Sequence, residues 1–265
     1  MTGLASQAGR RADLRPGSPD DPALKGYIEK THYVFEQGWI TEDESALVIA
    51  HHIRLSTDSL SHEEDKRMGN VKILFLAANP NPTTRLRLDQ ECHDIEDKIR
   101  KSEFRDEISF ISKWAVRPDD LLQFMNEHRP GIVHFSGHGG PGAIVLDGID
   151  GKPRMVSERA LLSLFKTLKD NVRVVVLNAC FSKAQAEAII EIVDCAIGMS
   201  CTIGDKAAIT FAASFYRAIG FGRSVQEAFD QGKTALELEG IPDGYAIELL
   251  VRKGVDPSQV VLVEA

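Results

Sequence analysis

Residues 131–147 read GIVHFSGHGGPGAIVLD, and the fold turns on whether this run opens a helix or returns as a second strand. Its first seven residues are short, apolar and partly β-branched, as in strands buried on both faces of a parallel sheet. The run ends by presenting a histidine among glycines. Gly137, Gly139 and Gly142 satisfy G-x-G-x-x-G, but the dinucleotide fingerprint must open a helix whose N-terminus receives a pyrophosphate. Here Pro141 and the strand-like AIVLD follow, and the motif falls on the third apolar run rather than the first. The glycines therefore serve a turn, and the D-G steps of AIVLDGIDGKP, residues 143–153, predict a small β excursion.

Working outward, VKILFLA (71–77), EISFISK (107–113), VRVVVLN (172–178) and DCAIGMS (194–200) repeat the pattern of a buried strand. Helical patterns fill the intervals: Leu88, Cys92, Ile95 and Ile99 mark one stripe, and Leu121–Met125, Leu161–Leu168 and Ala184–Ile192 supply others. This alternation predicts an α/β fold with a mostly parallel sheet flanked by helices. In such sheets the chemistry gathers at the carboxyl ends of the strands. AANPNPTT after the first strand, SGHGG after the third and NACFS after the fourth are thus expected to meet, with His138 and Cys180 facing one crevice.

The segment before residue 71 differs in composition. Residues 1–21 are rich in Gly, Pro, Ser and charge and read as a flexible tail. Residues 22–55 carry two apolar helical stripes, the second opened by the capping-box pair Thr41 and Glu44, and read as a helical hairpin; 56–70 form a polar linker. A hairpin of this size has too little core to stand alone, so it either covers the main domain, 71–265, or recruits a protein partner. Acidic residues outnumber basic ones by 39 to 31, a net charge of -8, which argues against a nucleic-acid partner. No apolar run reaches the roughly 18 residues of a membrane span, so the expectation is a cytoplasmic protein without a membrane partner.

The chemistry rests on His138 and Cys180. A thiolate attacks carbonyls well near neutral pH, and Cys180 stands at a strand end just before Ser182, a plausible N-cap for a helix over 183–193 whose dipole favours the anion. An imidazole can hold or deliver the proton that an amine leaving group needs. Gly139 lets the backbone turn with its N–H exposed, and with the N–H of Cys180 it forms a candidate oxyanion hole. A zinc site built from His134, His138 and Cys180 lacks carboxylate or further cysteine ligands at the neighbouring strand ends, and His134 reads better as a core histidine. Cys92, Cys195 and Cys201 have no such setting and read as packing residues.

These residues resemble the caspase-like CHAT peptidases. The likeness lies in ILFLAANPNPTTRLRLDQECHDI, IVHFSGHGG, VVLNACFS, AIGMSCTIGDKAAITFAASFYRAI and GRSVQEAFDQGKTAL, from Ile73 to Leu236. The resemblance implies a caspase-hemoglobinase-like three-layer sandwich and cysteine endopeptidase activity with no cofactor and no metal. It makes His138 the acid/base, Cys180 the nucleophile and the N–H groups of Gly139 and Cys180 the oxyanion hole. It also implies an imidazole oriented by a main-chain carbonyl, expected from the Asn79–Pro82 loop. Phe181 stands where caspases carry an arginine, so aspartate specificity is not expected, and a basic, a small or an apolar residue before the scissile bond all stay open; Asn178, where metacaspases carry an acid, and Asp205 are the candidates for the substrate pocket. Asp205 equally reads as an N-cap of the helix that follows. Family members cleave dedicated protein targets in bacterial stress and antiviral defence, and a catalytically silent adaptor acting through residues 22–55 is the alternative.

Overall fold

In the computed structural model the described residues are 70–168 and 171–264. The tail, the helical hairpin and all of the linker except Asn70 lie outside them. A six-stranded sheet in the order β2-β1-β3-β7-β8-β9 forms the centre. Its strands are β1 (Val71–Ala78), β2 (Ile108–Lys113), β3 (Ile132–Gly137), β7 (Val174–Asn178), β8 (Cys195–Met199) and β9 (Ile247–Val251). All neighbours are parallel except β8 and β9. Five strands thus lie where the apolar runs predicted them. The sixth, IELLV, was not anticipated: it is short and only half-buried along most of its length.

The period-two alternation of β1 divides the interior. Ile73, Phe75 and Ala77 face a core shared with α1 (Leu88–Arg100), α5 (Asp205–Gly220) and α6 (Val225–Leu238). Leu74, Leu76 and Ala78 face the opposite core, with α2 (Pro118–His128), α3 (Glu158–Thr167) and α4 (Lys183–Ile189). Helices therefore cover both faces, which is why the central strands read as continuous apolar runs rather than alternating ones. The chain steps from β1 outward to β2 and then back across β1 to β3, so the order reverses between β1 and β3 and opens a crevice at their carboxyl ends. The anticipated excursion is a second, antiparallel sheet of β4 (Gly139–Gly140), β5 (Ala143–Asp147) and β6 (Pro153–Ser157), springing directly from the end of β3.

Local signals set the helix ends. Ser224 and Glu227 form a capping box at α6, and the Ser157 hydroxyl accepts the Ala160 N–H at α3. Two expectations need correction. The helix after Cys180 stops at Ile189 instead of running to 193; Ser182 is its N-cap as expected, though its hydroxyl makes no cap bond and instead donates to the Leu177 carbonyl (2.8 Å) and accepts the Met199 N–H (3.0 Å), stitching β7 to β8. The N-cap of α5 is Gly204, with Asp205 the first helical residue. Among the described residues no helix is long and apolar enough to cross a membrane.

Cys92 and Cys195 are packed into the core as expected. Burial lifts the Cys92 thiol from the usual 9.0 to about 11 and the Cys195 thiol to about 12. Both values are raised, so the stability they contribute is complete below the unfolded thiol value and is lost as pH rises towards the folded ones. The urea midpoint is expected to fall above about pH 9, and to fall less steeply in a Cys92→Ala, Cys195→Ala double variant. Equal slopes in the two proteins would refute this assignment.

Candidate active site

Register brings the candidate residues together. Ser136 of β3 lies opposite Asn178 of β7 on one rung of the sheet, with Ala77 of β1 completing the row. His138 and Cys180 each follow two residues beyond that rung, just past the ends of neighbouring parallel strands. The loops that carry them touch: a Cβ on Gly139 would collide with the Cys180 carbonyl oxygen and approach the Ala179 Cβ to 3.0 Å. Glycine at 139 is thus required by close approach. Gln185, with its amide oxygen on the Ala143 N–H (2.7 Å) and its nitrogen on the Phe181 and Ser182 carbonyls (both 3.1 Å), braces the Cys180 turn against β5.

The imidazole of His138 is oriented by a carbonyl, as expected, though from two residues beyond the anticipated stretch: Nε2 lies 2.7 Å from the Thr84 oxygen. A carbonyl only accepts, so Nε2 carries the hydrogen and Nδ1 holds the lone pair when the ring is neutral. Cys180 is free and half-buried. No hydrogen bond joins it to His138, so the pair is adjacent rather than engaged. The next residue, Phe181, is left-handed at φ 59° and partly exposed, an unusual conformation for an aromatic side chain that turns the chain sharply out of β7. Antiparallel alternation makes Gly139 and Ile144 the non-hydrogen-bonded pair, because Val145 N–H donates to the His138 carbonyl beside them. The Gly139 amide is therefore left out of the ladder.

Beneath the two loops lies a polar cluster that the sequence reading missed. Glu91, on the buried stripe of α1, is 3% exposed, and its Oε1 accepts from Asn178 Nδ2 (2.6 Å) and His134 Nε2 (2.9 Å). Its Oε2 accepts from the Ser136 hydroxyl. Nδ1 of His134 meets the Tyr216 hydroxyl at 3.0 Å. The donors balance if His134 is neutral with its hydrogen on Nε2 and Tyr216 donates to Nδ1; burial, reinforced by the Glu91 charge, holds the Tyr216 hydroxyl well above its usual range and keeps it a donor. His134 is thus a hydrogen-bonded core histidine with no ring nitrogen to offer a metal. The available signal was Glu91 itself, a carboxylate on an otherwise apolar stripe with Leu88, Cys92, Ile95 and Ile99.

Glu91 and Asn178 also form the inner wall of a crevice beside Cys180, and Asp205 stands at its mouth. Asp205 Oδ2 accepts the Arg87 N–H (3.2 Å), tying the starts of α1 and α5 across the opening. Both candidate pocket residues therefore share the crevice with Cys180. Removing the hub carboxylate would strand three donors, so Glu91→Ala should lower stability by about 3 kcal/mol or more. Glu91→Gln, which keeps one acceptor oxygen, should cost less; equal urea midpoints for wild type and Glu91→Ala would contradict the network.

Comparison with known proteins agrees with this architecture. The CHAT domain model matches residues 29–239. A Roc-COR-CHAT protease from an unknown prokaryotic organism is 27% identical over 200 residues, covering 70% of this chain and 19% of that protein. A probable protease of Gillisia limnaea is 25% identical over 184 residues, covering 65% of this chain and 32% of its own. The chain thus spans at most about a third of these relatives. Among solved structures, the complex of Porphyromonas gingivalis RgpB pro- and mature domains shares the fold, with a TM-score of 0.50 at 12% identity over 75% of this chain and 49% of that one. With a mostly parallel sheet between two helical layers, the crevice at its carboxyl edge and a family match across most of its length, the chain belongs to the CHAT domain family.

Proposed function

We propose that the protein is a cysteine endopeptidase that cleaves a protein target through a Cys180–His138 dyad. The observation that carries this reading is the shared rung: Ser136 and Asn178 are paired, and the nucleophile and base follow at equal distance from that pair. The similarity to a Roc-COR-CHAT protease and to a probable protease supports the same class of activity.

In this mechanism the lone pair of His138 Nδ1 takes the proton from Cys180 Sγ, while Nε2–H stays on the Thr84 carbonyl and fixes the tautomer. Sulfur attacks the scissile carbonyl carbon, and the N–H groups of Gly139 and Cys180 receive the negative charge that develops on its oxygen. Collapse of the adduct breaks the C–N bond, the imidazolium gives its proton to the departing amine, and a thioester remains on Cys180. Water, deprotonated by His138, then attacks the thioester, releasing the acid and restoring the thiol. No step requires a metal or an organic cofactor. The family resemblance extends the reading to a cytoplasmic role in prokaryotic stress or antiviral defence, with residues 22–55 engaging an activating or recruiting protein.

Purified protein should cleave an unstructured protein substrate and label with a thiol-directed probe. Cys180→Ala should abolish both, and His138→Ala should lower turnover by about 10²-fold or more. Iodoacetamide should inactivate the enzyme while EDTA leaves it active. An accessible Cys180 that does not react in the folded wild type would reject the peptidase reading in favour of an adaptor; loss of activity on chelation would point to a metal.

A further inference from the structure

The crevice beside Cys180 contains an acceptor without a donor. Asn178 is 5% exposed; its nitrogen is committed to Glu91, which fixes the orientation of the amide, and its Oδ1 has no hydrogen-bond partner. A buried amide oxygen left bare is costly, so such an atom marks a place where a donor belongs. Glu91 lies beside it. Oε1 of that carboxylate already accepts two hydrogen bonds, but Oε2 accepts only one and keeps a lone pair. His134 is neutral in the arrangement that satisfies every donor, so nothing in the cluster cancels the Glu91 charge. Asp205 adds a second carboxylate at the mouth, where the Arg87 side chain is turned onto Gln90 Oε1 at 3.1 Å.

The walls between mouth and floor are apolar. Leu86, Leu88, Ile203 and Ile209 line them. A crevice with hydrocarbon sides, acceptors alone at its inner end and net negative charge suits a side chain with an aliphatic stem and a cationic, donor-bearing tip. It disfavours aspartate or glutamate by charge, and an aliphatic side chain would leave the Asn178 oxygen bare.

We infer that this crevice receives a lysine or arginine side chain of the substrate, from the residue preceding the scissile bond, with Asn178 Oδ1 and Glu91 Oε2 as its receptors. The inference rests on the peptidase reading, because only a substrate acylating Cys180 sets the side chain next to that thiol. Asn178 acts here as a specificity residue in its own right. Glu91 combines two tasks: it supports the strand ends and supplies charge to the crevice.

The test uses tripeptidyl chloromethyl ketones that differ only in their last residue: arginine, lysine, leucine, methionine or aspartate. Labelling of Cys180 is followed by intact mass, with iodoacetamide as a probe that has no side chain to recognise. In the wild type, the arginine or lysine ketone should label at least about tenfold faster than the leucine or methionine ketone. Benzamidine should slow iodoacetamide labelling more than neutral benzamide does. Asn178→Ala and Glu91→Gln should each reduce the arginine-to-leucine ratio, every rate being normalised to that variant's own iodoacetamide rate. If Glu91→Gln does not fold, Asn178→Ala and the wild-type series decide alone. Faster labelling by the leucine or methionine ketone overturns the assignment of the crevice and leaves the peptidase reading standing. If neither iodoacetamide nor any ketone modifies Cys180, the peptidase reading fails and this inference falls with it.

Discussion

Glu91 is a carboxylate taken almost wholly out of water, and that is tolerable only because three donors meet it. The donors come from two neighbouring strands, and through His134 the network reaches Tyr216 of α5. One charge thus fixes α1, β3, β7 and α5 relative to one another at the depth where the strands end. An apolar side chain at 91 would leave these donors bare, and a shorter acid would not reach all of them at once. The remaining packing around the cluster is apolar and tolerant by comparison: Phe75 stacks on the His134 ring with centroids 5.0 Å apart. Buried polar networks of this kind specify one arrangement over near alternatives, because every other register leaves a group unsatisfied.

The constraint passes directly into the chemistry. Two residues beyond the Ser136–Asn178 rung, the chain bears an imidazole just after one strand and a thiol just after the other. Register sets where each residue leaves the sheet, and the two loops set the rest. The Thr84 carbonyl orients the ring, and the left-handed Phe181 with the Gln185 brace directs the turn that bears sulfur. Gly139 allows the two loops to approach until backbone meets backbone. The same Asn178 that completes the hub also faces the crevice.

The sequence made much of this legible because the fold is built from strands buried on both faces, and runs such as VKILFLA and VRVVVLN cannot be satisfied at a surface. The strand-end rule then brought His138 and Cys180 to one crevice without a structure, and the family resemblance added Asn178 and Asp205 as pocket candidates. What escaped has a common cause: the missing features depend on contacts between elements distant in sequence. Glu91 lies 87 residues from Asn178, and His134 lies 82 from Tyr216. Thr84 is exposed and offers only its carbonyl, which no residue type advertises. Ser182 takes the N-cap position, as serine often does, but its hydroxyl, buried between two strands, bonds to them rather than to the helix. Strand β9 is brief and amphipathic enough to be taken for the end of a loop.

Strand order carries one more consequence. β3 and β7 are the middle pair of six, so exchange of their amides with solvent requires the sheet to be opened from an edge, through β1 and β2 or through β8 and β9. The segment bearing Thr84 is different: Asn81, Pro82, Thr84 and Arg85 are exposed, and the local turn is held by the Thr83 N–H and hydroxyl on the Pro80 carbonyl and by Asn79 Nδ2 on the Leu86 carbonyl. The candidate groups are therefore divided between two levels of local order. The thiol and the imidazole stand just past the two innermost strands, while the Thr84 carbonyl that meets the imidazole stands on an exposed turn. In the proposed mechanism, a contact that displaces that loop would disturb the tautomer of His138 and leave the sheet beneath it intact.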